Sequence, residues 1–219
     1  MERRANDLRN RAALFLAALG WSVSRTASEA EVIETLELLR PHITNLDLCR
    51  VGPDGDGGYL VPSDLDGIEG VFSPGVGQEV GFETFFADRG IPCFMLDHTV
   101  SAPPVPHPAF KFDQKRLAVE SGQDSISLDD WVSLRGPSAG DLLLQMDIEG
   151  DEYVTLLTCS EPTLRRFRVI VVELHDLSAM VNKSGRRLIG ATLARLQQNH
   201  VVVHAHPNDC CRFLRVGEA

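Results

Sequence analysis

Four short polar clusters interrupt the apolar runs of this chain: Ser73-Pro74-Gly75-Val76-Gly77, Asp97-His98, Asp147-Ile148-Glu149-Gly150 and Glu173-Leu174-His175. Each follows a stretch that reads as a buried strand, and in an open parallel sheet ligands collect outside the carboxyl ends of the strands. Asp147 and Glu173 end two apolar strands expected to be neighbours near the sheet centre. Their carboxylates could hold a divalent cation such as Mg2+ through hard oxygen ligands, with His175 or His98 as a nitrogen ligand. A cation held there lowers the pKa of a substrate hydroxyl and orients it. His98, His175, His204 and His206 share this edge, and imidazole suits proton removal from a hydroxyl. The plainer account of the same residues is lone acids capping helices and histidines serving structure.

The glycine turn allows a second reading. Gly75 and Gly77 permit close approach to the backbone, and Asp97 follows about twenty residues later, where an acid receives ribose hydroxyls. The turn lacks the third glycine of the dinucleotide fingerprint, and the chain has no G-x-x-x-x-G-K-S/T phosphate loop. That favours a nucleoside-like cofactor without a pyrophosphate. A G-x-S-x-G nucleophile elbow is also absent, so serine-hydrolase chemistry has little support.

The elements that must position these groups can be read from periodicity. Strands are expected at 59–61, through Val71 and Phe72, and at 92–97, 142–146 and 167–172. A further strand is expected in the VVVHAHPND run from Val201, and a short last one in RFLRV from Arg212. Helices are expected over 7–19, after the capping box Ser28 to Glu31 with Val32, Ile33, Leu36 and Leu39 as its apolar face, over 79–88, after Ser127, through Tyr153 to Leu157, and over 184–199. Pro103, Pro104, Pro106 and Pro108 make the connection after Asp97 extended and stiff, where a substrate-facing loop would lie. Strands alternating with helices, with nearly all-apolar interiors, indicate a mostly parallel α/β sheet covered by helices on both faces. The expected organisation is an N-terminal helical extension over 1–45 and one catalytic domain over 46–219.

Composition narrows the function classes. The 219 residues are 43% hydrophobic and 24% charged, as in an ordinary globular protein. A net charge of -10, from 21 basic and 31 acidic residues, leaves no basic footprint for nucleic acid. Five cysteines without C-x-x-C spacing suggest reduced thiols and a cytoplasmic setting. The LFLAALGW stretch makes a poor signal peptide, and no run approaches the roughly 18 apolar residues of a membrane span.

Taken in order, RVGPDGDGGYLV, FSPGVGQEVGFE, LDHT, SLDDW, LLLQMDIEGDE and VVVELH resemble the S-adenosylmethionine-dependent methyltransferases of the FkbM-like group, over roughly residues 48–208. The resemblance implies the seven-stranded, Rossmann-like class I methyltransferase sheet. It places Ser73 to Gly77 beside the methionine part of the cofactor, Asp97 with His98 at the ribose, Asp124 or Ser125 near the adenine, and Asp147 to Gly150 along the reaction cleft. Ser73-Pro74 precedes the glycines where many methyltransferases carry an acid. The implied activity is metal-assisted O-methylation of a sugar hydroxyl, in its narrowest form the 1-OH of a short 3-O-methylated mannoside. The acceptor is then a small saccharide or glycan, the catalytic set is Asp147, Glu173, His175 and His98, and the metal set is Asp147, Glu173 and His175. A homodimer is expected through the apolar faces of the N-terminal helices. Alternatives from other classes are a nicotinamide-dependent oxidoreductase and an inactive cofactor-binding scaffold.

Overall fold

The protein is described here by a computed structural model that covers residues 24–207 continuously, with helical residues 14–16 and 18 before them. Five strands form the central sheet: β3 (Ile68–Pro74), β4 (Cys93–Leu96), β5 (Phe110–Asp113), β8 (Asp141–Met146) and β9 (Phe167–Val172). Their order is β5-β4-β3-β8-β9 and every pairing is parallel. The chain thus builds outward from β3 in one direction through β4 and β5, then returns to the other side of β3 to lay down β8 and β9. This reversal makes a switch point between the carboxyl ends of β3 and β8, where a crevice opens in such sheets.

Alternation along the strands explains why both faces are dry. Phe72, Phe94, Leu96, Leu142, Leu144, Met146 and Phe167 point to one face, where they meet Leu128, Trp131 and Val132 of α3 (Leu128–Arg135), Leu156 of α4 (Glu152–Thr158) and Leu164 of α5 (Glu161–Arg166). Val71, Cys93, Met95, Leu143 and Val169 point to the other, against Phe82 and Phe86 of α2 (Gly81–Ala87) and against Val51 and Val61. The last two belong to an antiparallel hairpin of β1 (Leu48–Val51) and β2 (Tyr59–Pro62). A third cluster joins Val32 of α1 (Glu29–Leu36) to Tyr153, Met180, Ile189 and Leu193, the last two on α6 (Lys183–Leu196). Two two-residue strands, β6 (Arg116–Leu117) and β7 (Ser125–Ile126), pair separately ahead of α3.

The Rossmann-like α/β expectation holds, with corrections in detail. The capping box forms as read: Ser28 Oγ accepts the Glu31 N–H, and the Glu31 carboxylate accepts the Ser28 N–H at 2.7 Å. The apolar face of α1 is narrower than its sequence suggests, because the helix touches the body along one stripe. Val32 and Thr35 are buried while Ile33 and Leu36 remain exposed. Residues 201–207 form no strand, and among the described residues their backbone is met by one bond, from the His42 N–H to the Val202 carbonyl at 2.7 Å. Among the described residues β9 is therefore an outer strand, not a central one, and five parallel strands stand where seven were expected. The run from Arg212 and most of the 7–19 helix lie outside the described residues. Sequence reading also missed β1 and β5; Phe110 and Phe112 alternate in β5 and pack on the second core. Among the described residues no helix is long and apolar enough to cross a membrane.

Candidate functional site

The glycine turn and the first acidic segment meet at the switch point. The Asp147 N–H donates to the Pro74 carbonyl at 3.2 Å, and the Gly75 N–H donates to the Leu96 carbonyl at 2.8 Å. A Cβ on Gly75, whose φ is +87°, would lie 1.5 Å from the Asp147 carbonyl oxygen, so only glycine lets β3 and β8 close here. Gly77, at φ +54°, has open space where its Cβ would be. Its N–H donates to Asp97 Oδ2 at 2.9 Å, while Asp97 Oδ1 accepts the N–H and hydroxyl of Thr99, both at 2.6 Å. Burial opposes the Asp97 charge, but these donors outweigh it and hold the carboxyl below its usual pKa. Asp97 is thus an ionised clasp on the glycine turn.

At the end of β8 and β9, one histidine sits among acids. His175 Nδ1 lies 2.8 Å from Glu152 Oε1, whose side chain is fully buried at the start of α4. The same oxygen accepts the N–H groups of Ile148 and Gly150, at 3.2 and 3.1 Å. The Tyr153 hydroxyl donates to the His175 carbonyl, so α4 grips both ring and backbone. With Nδ1 committed to a carboxylate, Nε2 faces Asp147 Oδ1 at 3.6 Å and Glu149 Oε2 at 3.4 Å. Glu149 reaches this position from a left-handed backbone, φ 59°, uncommon for a residue with a side chain.

Asp147 Oδ1 is buried without a hydrogen-bond partner. Burial, followed by the charge of Glu173, pushes the Asp147 pKa up to about 6. Burial disfavours a charged His175, yet the hydrogen bond and charge of Glu152, with Asp147 and Glu149, raise its pKa overall. Asp147, Glu149 and His175 each offer a ligand atom, all within 4.8 Å of one another. Two carboxylates and an imidazole whose far nitrogen is oriented by a third carboxylate suit a divalent cation. A protonated His175 satisfies part of the same negative charge.

The expected residues separate into those brought together and those left apart. Asp147 and His175 join, with Glu149 as their third partner. Glu173 turns to β2, where it accepts the Tyr59 hydroxyl on Oε1 at 2.6 Å. Ser73, Gly75, Gly77 and Asp97 surround one turn, although Ser73 is fully buried and its hydroxyl points to Glu83 and Gln145. His98 and Asp124 are exposed. Ser125 lines a shallow open groove of about 450 Å³ with Lys115, Ser121, Asp130 and Leu134, none of which belongs to the turn or the acid cluster. Sequence reasoning placed Glu149 in the acidic segment along the cleft but not among the metal ligands, and it missed Glu152 and Tyr59 as site residues. The signal for Glu152 was available: it begins a helix directly after the acidic segment, four residues beyond Ile148. Tyr59 gave none beyond its place in a short strand.

The fold and site define a Rossmann-like α/β protein with a glycine turn and an acid–histidine cluster at its switch point. Compared with protein-family models, curated proteins and solved structures, the chain matches none of them.

Proposed function

We propose that the chain is an S-adenosylmethionine-dependent O-methyltransferase that methylates a sugar hydroxyl with the help of a divalent cation such as Mg2+, as the likeness to the FkbM-like group implies. The observation that carries this reading is the meeting, at one switch point, of the Asp97-clasped glycine turn and the Asp147, Glu149 and His175 cluster. The open space beside Gly77 and the ionised Asp97 suit a nucleoside with a free ribose edge. Glu79 Oε1 accepts the Gly81 N–H at 2.7 Å, which puts a carboxylate on the start of α2. A pyrophosphate would need that helix start free of negative charge. This arrangement disfavours a nicotinamide dinucleotide.

Bound S-adenosylmethionine would supply an already activated methyl group, so alignment and removal of one proton are the protein's share. Asp147, Glu149 and His175 would hold the cation, whose contribution is to acidify and orient the acceptor hydroxyl. Glu152 fixes the His175 ring with Nε2 turned to that position. Glu173, anchored on one oxygen by Tyr59, would offer its other oxygen for the hydroxyl proton. Acceptor selection falls to the proline loop, Pro103 to Pro108, and to the exposed His204 and His206.

The test is transfer of labelled methyl from S-adenosylmethionine to a panel of saccharides, short 3-O-methylated mannosides among them, with Mg2+ or Mn2+ and then with EDTA. Metal-stimulated labelling of a sugar hydroxyl is expected. Cofactor binding without labelling of any acceptor would favour the inactive scaffold instead.

A further inference from the structure

A row of polar side chains crosses the sheet from α2 to β9. The carboxyl of Glu83 on α2 is in hydrogen-bond contact with the hydroxyl of Ser73 on β3, which lies 2.6 Å from Gln145 Oε1 on β8. Gln145 Nε2 lies 3.4 Å from the hydroxyl of Tyr59 on β2, and that hydroxyl lies 2.6 Å from Glu173 Oε1. Glu83, Ser73 and Gln145 are buried. Buried polar groups need partners, so every link in this row requires its own proton.

There are four links. Ser73 brings one proton, Tyr59 another, and the Gln145 amide donates from its nitrogen side only. If both glutamates are ionised, one link must place oxygen against oxygen. Turning the amide over moves the fault without removing it, because Tyr59 would then have to donate to Gln145 and to Glu173 at once. One added proton completes the row. Carried by Glu83, it gives a single direction: Glu83 donates to Ser73, Ser73 to Gln145 Oε1, Gln145 Nε2 to Tyr59, and Tyr59 to Glu173. The orientation of the Gln145 amide is the one this direction requires.

We propose that Glu83 is a neutral acid and a positioning residue, whose proton directs the Ser73, Gln145 and Tyr59 hydrogen bonds toward β9, so that Tyr59 donates to Glu173. The surroundings of Glu83 agree. Glu83 is faced by Ser73 from β3, by Cys93 from β4, whose thiol donates to the Glu83 carbonyl, and by the like charge of Glu79 from the preceding turn. Burial first, and Glu79 in addition, push its pKa up. Glu173, at the other end, accepts from Tyr59 of β2 and lies near Asp147, just past β8. Burial and the neighbouring Glu173 keep Tyr59 a neutral donor. Only the use of Glu173 as proton acceptor rests on the methyltransferase reading; the proton count does not.

The experiment is infrared spectroscopy of the full chain at pH 7, with Glu83→Gln, Glu83→Leu and Tyr59→Phe beside the wild type. A protonated-carboxyl carbonyl band is expected in the wild type and absent from Glu83→Gln. That variant, whose amide can still donate to Ser73, should keep the wild-type denaturation midpoint, while Glu83→Leu should not. Where methyl transfer is measurable, Glu83→Gln should stay within about twofold of wild type and Tyr59→Phe should lose about tenfold in kcat with KM little changed. A wild-type spectrum in which Glu83→Gln removes no such band overturns the proposal, as does a Glu83→Gln variant as unstable as Glu83→Leu. A band lost in Glu83→Gln without methyl transfer in any variant supports the neutral acid while overturning the methyltransferase reading.

Discussion

Two sets of polar groups lie within a few residues of each other on β8, and they are built on opposite terms. The row from Glu83 through Ser73, Gln145 and Tyr59 is deep in the sheet, and each member faces a partner. The group at the strand ends gathers Asp147, Glu149 and Glu152 around one imidazole and leaves Asp147 Oδ1 buried with no hydrogen bond. A satisfied row rigidifies the sheet, whereas an unpaired oxygen in an excess of negative charge costs free energy. Such a cost is recovered when a ligand supplies the missing positive charge. The difference separates the residues that hold the site from those that would bind.

Substitutions can break that comparison. The largest effect is expected from Asp147→Asn, which should lower methyl transfer by roughly 100-fold or more while leaving S-adenosylhomocysteine affinity within about twofold, since it removes a metal ligand and spares the glycine turn. Equal loss of turnover and of calorimetric affinity would make Asp147 a part of the cofactor fold instead. Glu152→Gln should weaken divalent-cation binding by roughly 10- to 100-fold, read by metal titration, because His175 loses the carboxylate that orients it.

The stability effects should have opposite signs in the two regions. Ser73→Ala strands Glu83 and Gln145 in the interior and should cost about 2 kcal/mol in denaturant unfolding. Asp147→Asn in metal-free protein should instead stabilise at pH 7, on the order of 1 kcal/mol after allowance for its partial exposure. The sign follows from its pKa of about 6, raised above the ordinary 3.8. The native state holds that proton more tightly than the unfolded chain, so wild-type stability falls as pH rises through roughly 4 to 6. The gain from Asn should therefore vanish near pH 4, and a gain that persists there would contradict the charge argument.

Much of the fold was legible because apolar strand interiors and caps are local signals. FRVIVV and DLLLQM announce β9 and β8, and Ser28 with Glu31 announces α1. β1 was not legible, since LCRV is short and half exposed and takes its pairing from β2. VVV from Val201 read as a strand on composition alone, yet residues 201–207 pair with no strand among the described residues. At the site, Asp147, His175 and the glycine turn were marked by their place after apolar runs. Glu149 was marked by the same segment, but its place beside His175 was hidden, because it depends on a left-handed backbone that brings its carboxylate to the imidazole. The partner of Glu173 was hidden for a different reason: Tyr59 lies 114 residues away, and no periodicity predicts a contact set by the docking of a hairpin on a sheet.

The central claim is that the switch point takes an S-adenosyl cofactor beside a cation site. Calorimetric titration of the full chain with S-adenosylhomocysteine, first with Mg2+ or Mn2+ and then with EDTA, tests it most directly. The account predicts one cofactor per chain under both conditions, with a separate metal isotherm that Asp147→Asn removes. No cofactor binding under either condition would contradict it.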